Sequence, residues 1–147
     1  MRDAFIESLS KLAENDKDIF LITGDLGFGV LDNFAEKFPS QFLNVGVAEQ
    51  NMTGIATGLA LSGYKVFTYS IANFTTLRCL EQIRNDACYH NANVNVVSIG
   101  GGFGYGALGM SHHATEDLSI MRSLPNIEVI APGDDFETKE ATKYVVD

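Results

Sequence analysis

A chain of 147 residues, 46% apolar and 20% charged, has the size and balance of one compact domain with its own hydrophobic core, not of a disordered segment. Its net charge of −9 repels phosphate backbones and anionic lipid, so neither nucleic acid nor a membrane surface is an expected partner. Cys79 and Cys88 lack CxxC spacing, no long apolar run occurs, and Met1-Arg2-Asp3-Ala4-Phe5 does not open like a signal peptide, which together predict a reduced, cytoplasmic setting.

In chain order, Phe5, Ile6, Leu9, Leu12 and Ala13 recur at helical spacing and predict an amphipathic helix over residues 2–14. Asp18 to Thr23 reads as a buried strand stopped by Gly24-Asp25, and Leu31 to Lys37 as a short helix. Phe42 to Val45 is a second short strand. From Ala48 to Ser62 the pattern is helical, with Met52, Ile55, Ala56, Leu59 and Ala60 on one stripe and Gly63 as the stop. Gly54 and Gly58, four apart on that helix, permit close helix packing. Lys65 to Tyr69 predicts a strand, residues 74–90 one long helix, and Val94 to Ile99 another strand. Asp117 to Arg122 reads as helical, Ile127 to Ile130 as a strand, and Phe136 to Val146 as a closing helix.

Strands alternate with helices, and several strands are continuous apolar runs. That predicts a three-layer α/β/α domain around a mostly parallel sheet. Ligands of such sheets sit beyond the carboxyl ends of the strands, which directs attention to the loops after Thr23, Val45, Tyr69 and Ile99. The chain reads as a single domain over 1–147, and its stop straight after a helix leads to the expectation that the domain is truncated at its C-terminal end.

Glu49 lies just past a short strand, inside the first turn of the next helix. A carboxylate there is favoured by the helix dipole alone, yet the same position presents it to a ligand. Residues 100–109 contain six glycines, a density that gives up packing for backbone freedom and so suits either a ligand-facing loop or a flexible one. No Gly-Lys-Ser/Thr follows, so it is not a Walker loop. His112 and His113 are adjacent and point in different directions, which makes a poor metal site, and no metal is expected on this chain. Gly24-Asp25-Leu26-Gly27-Phe28-Gly29 does not carry the dinucleotide fingerprint; Asp25 is either a turn residue or a ligand contact.

Several segments together resemble one family. Val45-Gly46-Val47-Ala48-Glu49-Gln50-Asn51-Met52, Leu80-Glu81-Gln82-Ile83-Arg84-Asn85-Asp86, Ser111-His112-His113-Ala114-Thr115-Glu116-Asp117, Met121-Arg122-Ser123-Leu124-Pro125-Asn126 and Ala131-Pro132-Gly133-Asp134 are similar, in order and context, to the pyrimidine-binding domain of transketolases. The chain resembles the C-terminal subunit of a split transketolase. The resemblance implies a thiamin-diphosphate-binding fold and a transferase that moves a two-carbon ketol unit between sugars. It implies that Glu49 hydrogen-bonds N1′ of the cofactor's aminopyrimidine and favours its imino form, and that His112 contacts the substrate, with His113 beside it and Arg2 a candidate for a substrate phosphate. Phe74 is the expected stacking aromatic, with Tyr69 and Asp25 as further cofactor contacts.

The chain also departs from the family pattern. Leu108 stands where an aspartate is expected to read the donor's hydroxyl, and the family's phenylalanine positions fall at Ala72 and Thr75. No Gly-Asp-Gly followed by asparagine is present to hold the diphosphate and Mg²⁺. A partner subunit or domain is therefore expected to supply the diphosphate-binding site within a homo- or hetero-oligomer, and the chain is likewise expected to lack the usual C-terminal domain. The competing readings are a 2-oxoacid dehydrogenase β-type subunit, supported by Gly104-Tyr105-Gly106-Ala107-Leu108, a deoxyxylulose-phosphate-synthase-like enzyme, and a non-catalytic assembly domain of the same fold.

Overall fold

The chain alternates helices and strands from end to end. A computed structural model describes residues 1–146. The order is α1 (Arg2–Asn15), β1 (Ile19–Thr23), α2 (Asp32–Lys37), β2 (Phe42–Asn44), α3 (Glu49–Leu61), β3 (Lys65–Ile71), α4 (Ala72–Thr75), α5 (Leu80–Gln82), β4 (Val94–Ile99), α6 (Asp117–Met121) and α7 (Asp135–Tyr144). The strands form one all-parallel sheet in the order β2-β1-β3-β4, with Leu21 opposite both Phe42 and Phe67, and Thr68 opposite Val96. β1 and β3 occupy the middle and are buried along nearly their whole length, as strands covered on both faces must be.

The pleat sends alternate side chains to two different layers. On one face Leu21, Phe67 and Tyr69 meet Phe5, Leu9 and Ala13 of α1 and Phe34 of α2, with Val146 closing the cluster; α7 packs beside α1. On the other face Ile22 and Val66 meet Met52 and Ala56 of α3. Cys79, Ile83, Cys88 and Met121 form a third cluster that Val96 of β4 touches from the same side. Three layers result, as the alternation of elements predicts. Gly54 and Gly58 are turned to solvent, where nothing approaches within 4 Å of where a Cβ would stand.

Two expected elements differ. The single helix over residues 74–90 is instead α4, a 3₁₀ turn at Leu77–Cys79, α5, and a π-helical stretch at Ile83–Cys88. The cause is local. The hydroxyls of Thr75 and Thr76 bond back to the carbonyl oxygen of Ala72, and the Cys79 thiol donates to the Phe74 carbonyl. Such bonds compete with the helical ladder, and Thr76 leaves helical geometry at φ −105°, ψ −80°. The strand expected at Ile127–Ile130 forms no ladder. Asn126, at φ 55°, ties the preceding turn to the Cys88 carbonyl through its side-chain amide, 3.1 Å away. Ile127 and Val129 then pack against the third cluster by their side chains, so among the described residues the sheet has four strands.

Candidate active site

The carboxyl ends of β1, β2 and β3 converge on one rim, and Asn44 knits it. Its side-chain oxygen accepts from the backbone N–H groups of Asp25 and Gly46, each at 3.0 Å, and its amide donates to Asp25 Oδ1 at 3.1 Å. Asp25 takes the left-handed conformation (φ 57°) that Asp tolerates better than most side chains. The structure thus holds Asp25 in a clasp between the turns after β1 and β2. Gly24, next to it, backs directly onto Glu49: a Cβ there would stand 3.3 Å from Glu49 Cγ.

Glu49 is the first residue of α3, and no side chain caps that helix. The carboxylate turns inward and is only 4% exposed. Its Oε2 accepts from Arg78 Nη1 at 2.8 Å, while its backbone carbonyl accepts from the Thr53 hydroxyl at 3.1 Å. Arg78 belongs to the 3₁₀ turn that interrupts the expected long helix. Its guanidinium carbon lies 4.0 Å from the centroid of the Phe74 ring, a cation–π contact. The Phe74 ring in turn meets the His112 imidazole edge-on, with centroids 5.0 Å apart. The loop that carries His112 is drawn in by the Asn73 side-chain amide, which donates to the Ser111 carbonyl at 2.6 Å. One unbroken chain of contacts therefore runs Glu49–Arg78–Phe74–His112.

Arg78 is not among the residues that motif spacing singles out. Its signal is the i, i+4 spacing from Phe74, which puts the two on one side of any helical stretch. Beside this chain of contacts Cys79 is fully buried, and burial pushes its thiol up, the Glu49 carboxylate adding in the same direction against the Thr53 hydrogen bond. A cleft of about 470 Å³ opens over the site, lined by Val47, Ala48, Glu49, Gln50, Asn51 and Arg78.

The remaining sequence candidates lie elsewhere. Tyr69 faces the opposite layer: it is 1% exposed and its ring lies 6.1 Å from that of Phe5. It cannot stack on a ligand beside Glu49, because β3 sends alternate side chains to opposite faces and the residues directed to the α3 face are Val66 and Thr68. Burial pushes its phenol up to about 12. Arg2 is exposed and pairs with its neighbour Asp3 at 3.3 Å. His113 points away from Phe74, its Nε2 3.2 Å from the Gly106 carbonyl and its ring against Phe103. The glycine-rich loop folds on itself at Gly100 and Gly104: a Cβ on Gly104 would stand 2.8 Å from Gly100 Cα, and one on Gly100 2.3 Å from the Tyr105 ring. Leu108 is exposed on this loop.

Comparison with known proteins gives a consistent picture. The family described as "Transketolase, pyrimidine binding domain" matches residues 1–147. The chain is 41% identical over 147 residues to one subunit of the apulose-4-phosphate transketolase of Phocaeicola vulgatus, covering 99% of this chain and 47% of that protein. It is 40% identical to a putative transketolase C-terminal section of Methanocaldococcus jannaschii, covering 100% of this chain and 47% of the other. A solved structure described as a split gene transketolase, inactive beta4 tetramer, superposes with a TM-score of 0.87 at 36% identity, over 98% of this chain and 46% of that one. The chain spans about half the length of these relatives.

Proposed function

This chain belongs to the transketolase pyrimidine-binding domain family, and from that premise we propose that it supplies the pyrimidine side of a thiamin-diphosphate site in a ketol-transferring enzyme. The observation that carries the proposal is the buried Glu49 carboxyl at the rim of the parallel sheet, with Phe74 and His112 joined to it through Arg78.

These residues fit the cofactor's aminopyrimidine. Such a ring needs a carboxyl group in its plane, at N1′, and an apolar face to lie against. Glu49 supplies the first and Phe74 the second, 2.8 Å and 4.0 Å respectively from the one guanidinium between them. The bound cofactor supplies the nucleophilic carbon that breaks and forms the carbon–carbon bond. Glu49 holds or releases a proton at N1′, and its near-complete burial keeps water from competing for that exchange. Phe74 fixes the plane of the ring. His112, whose ring meets Phe74 edge-on, we assign to the substrate side, where its imidazole donates to or accepts from a ketose hydroxyl.

The diphosphate and Mg²⁺ we assign to a partner subunit or domain, in keeping with relatives named as one subunit of a transketolase and as a C-terminal section. The donor we assign to phosphorylated ketoses; the Phocaeicola vulgatus relative, named for apulose 4-phosphate, supports that class. The test is to assemble the chain with its diphosphate-binding partner and to compare a ketose phosphate with pyruvate as donor. Ketol transfer from the ketose phosphate is the expected outcome. Turnover with pyruvate alone would move the enzyme to the oxoacid side of the family.

A further inference from the structure

We propose that Arg78 gates the aminopyrimidine seat: in the free chain its guanidinium occupies the place of the ring between Glu49 and Phe74, and it swings out when the ring enters. The inference rests on the assignment of Glu49 and Phe74 to that ring.

A guanidinium and an aminopyrimidine make closely similar demands. Both are planar and delocalised, both hydrogen-bond a carboxyl group in the plane (the guanidinium by donating to it, the pyrimidine by exchanging a proton with it at N1′), and both lie well against an aromatic face. In this chain the Arg78 guanidinium satisfies those demands on the very two groups the ring would use. It donates to Glu49 Oε2 at 2.8 Å and lies 4.0 Å from the Phe74 centroid. A ring cannot take the carboxyl and the aromatic face while Arg78 keeps them.

The pair is built so that one half can leave. Glu49 is 4% exposed, whereas the Arg78 side chain is 41% exposed. Arg78 uses one donor of its fork on Glu49, and no second hydrogen bond anchors it among the described residues. It can therefore rotate into water, which hydrates a guanidinium well, with no movement of Glu49, which stays tied to α3 and backed by Gly24. The 3₁₀ turn that carries it lies between α4 and α5, outside any long regular helix. A residue built only to neutralise Glu49 would gain from further hydrogen bonds that hold its guanidinium in place; among the described residues Arg78 has none beyond Glu49. While Arg78 is seated, the fraction of chains open to the ring is reduced, and the apparent affinity falls by the same fraction.

The experiment follows the full chain by NMR as the aminopyrimidine fragment 4-amino-2-methylpyrimidine is added. In wild type the Arg78 Nε–H resonance is expected to move, at saturation, to the position of a solvated guanidinium. Arg78→Met, which keeps the stem and removes the planar cation, is expected to bind the fragment about tenfold more tightly. Arg78→Lys, whose compact ammonium lacks the planar fork, is expected to fall between the two and serves equally if the methionine variant folds poorly. An Arg78 resonance that stays in place at saturation, or Arg78 variants that bind no better than wild type, would overturn the gate. Glu49→Gln and Phe74→Ala separate the gate from the assignment beneath it. Both are expected to weaken fragment binding; if both bind as wild type does, the ring sits elsewhere and the assignment fails together with the gate.

Discussion

Two carboxylates stand at opposite ends of the sheet, each in an ion pair, and they are held in different ways. At the amino end Asp16 accepts from Lys65 at 3.0 Å, with the two side chains 29% and 31% exposed. The Asp18 N–H, at 2.9 Å, does most to hold the Asp16 carboxyl below its usual range, and Lys65 adds to it. At the carboxyl end Glu49 and Arg78 are 2.8 Å apart, but one is 4% and the other 41% exposed. The first pair is symmetrical in its access to water and fastens the start of β3 to the chain just before β1. The second is lopsided, with a carboxylate fixed by its helix and a cation that water can reclaim. Distance alone makes the two pairs look alike; the depth of each partner separates a fastening from a candidate site.

The largest test of that contrast is Glu49→Gln, which keeps size and a hydrogen-bond acceptor for Arg78 but loses proton exchange. Turnover in the assembled enzyme is expected to fall by about a hundredfold or more, with a thermal midpoint close to wild type. A variant that loses stability while keeping its activity would make Glu49 a second fastening.

A smaller effect is expected from Gly24→Ala. Its new Cβ would stand 3.3 Å from Glu49 Cγ and push the carboxyl from its position, lowering turnover by about tenfold. Unchanged kinetics would show that the position of the carboxyl tolerates this shift.

Tyr69 asks whether reactivity at the carboxyl end is confined to the α3 face. Its phenol is raised from 10.0 to about 12 by burial. The unfolded chain thus gives up this proton first, and the stability it contributes is complete below pH 10 and is lost as pH rises toward about 12. Denaturation midpoints across that window are expected to fall less steeply in Tyr69→Phe than in wild type, with cofactor binding unchanged. Weakened cofactor binding would return Tyr69 to the site.

The smallest effect belongs to Asp16→Asn, expected to cost about 1 kcal/mol or less, as partly exposed pairs do. Because the folded carboxyl is depressed below 3.8, its contribution is present above that value and is lost as pH falls through the folded pKa. Chemical denaturation of the variant at neutral and acid pH checks both the size and the direction.

Much of this was legible in the residues. The α1 stripe, the buried runs of β1 and β3 and the glycine stop at Gly63 follow from periodicity and side-chain volume, which act locally. Glu49 was legible as the first acidic residue after a strand, and its surrounding motif carried the family. Phe74 was legible as the aromatic between the expected stacking positions, and the structure sets it against Arg78 and His112. Arg78 was much harder to see, since an arginine on a helical stretch is usually a solvated residue. Tyr69 and Phe74 are both aromatic and five residues apart; the pleat of β3 sends Tyr69 to the core, while the turn into α4 leaves Phe74 partly exposed at the rim.

The sequence by itself determined the alternation of strand and helix, the parallel sheet and the identity of the carboxylate that opens α3, because each depends on spacing within a few residues. The tertiary structure alone decided what that carboxylate touches. Threonine hydroxyls that bond back onto Ala72 break the expected helix, and Arg78 is brought onto a carboxylate 29 positions away. Contacts between segments so far apart in the chain depend on how the layers pack, and no local pattern of residues encodes them.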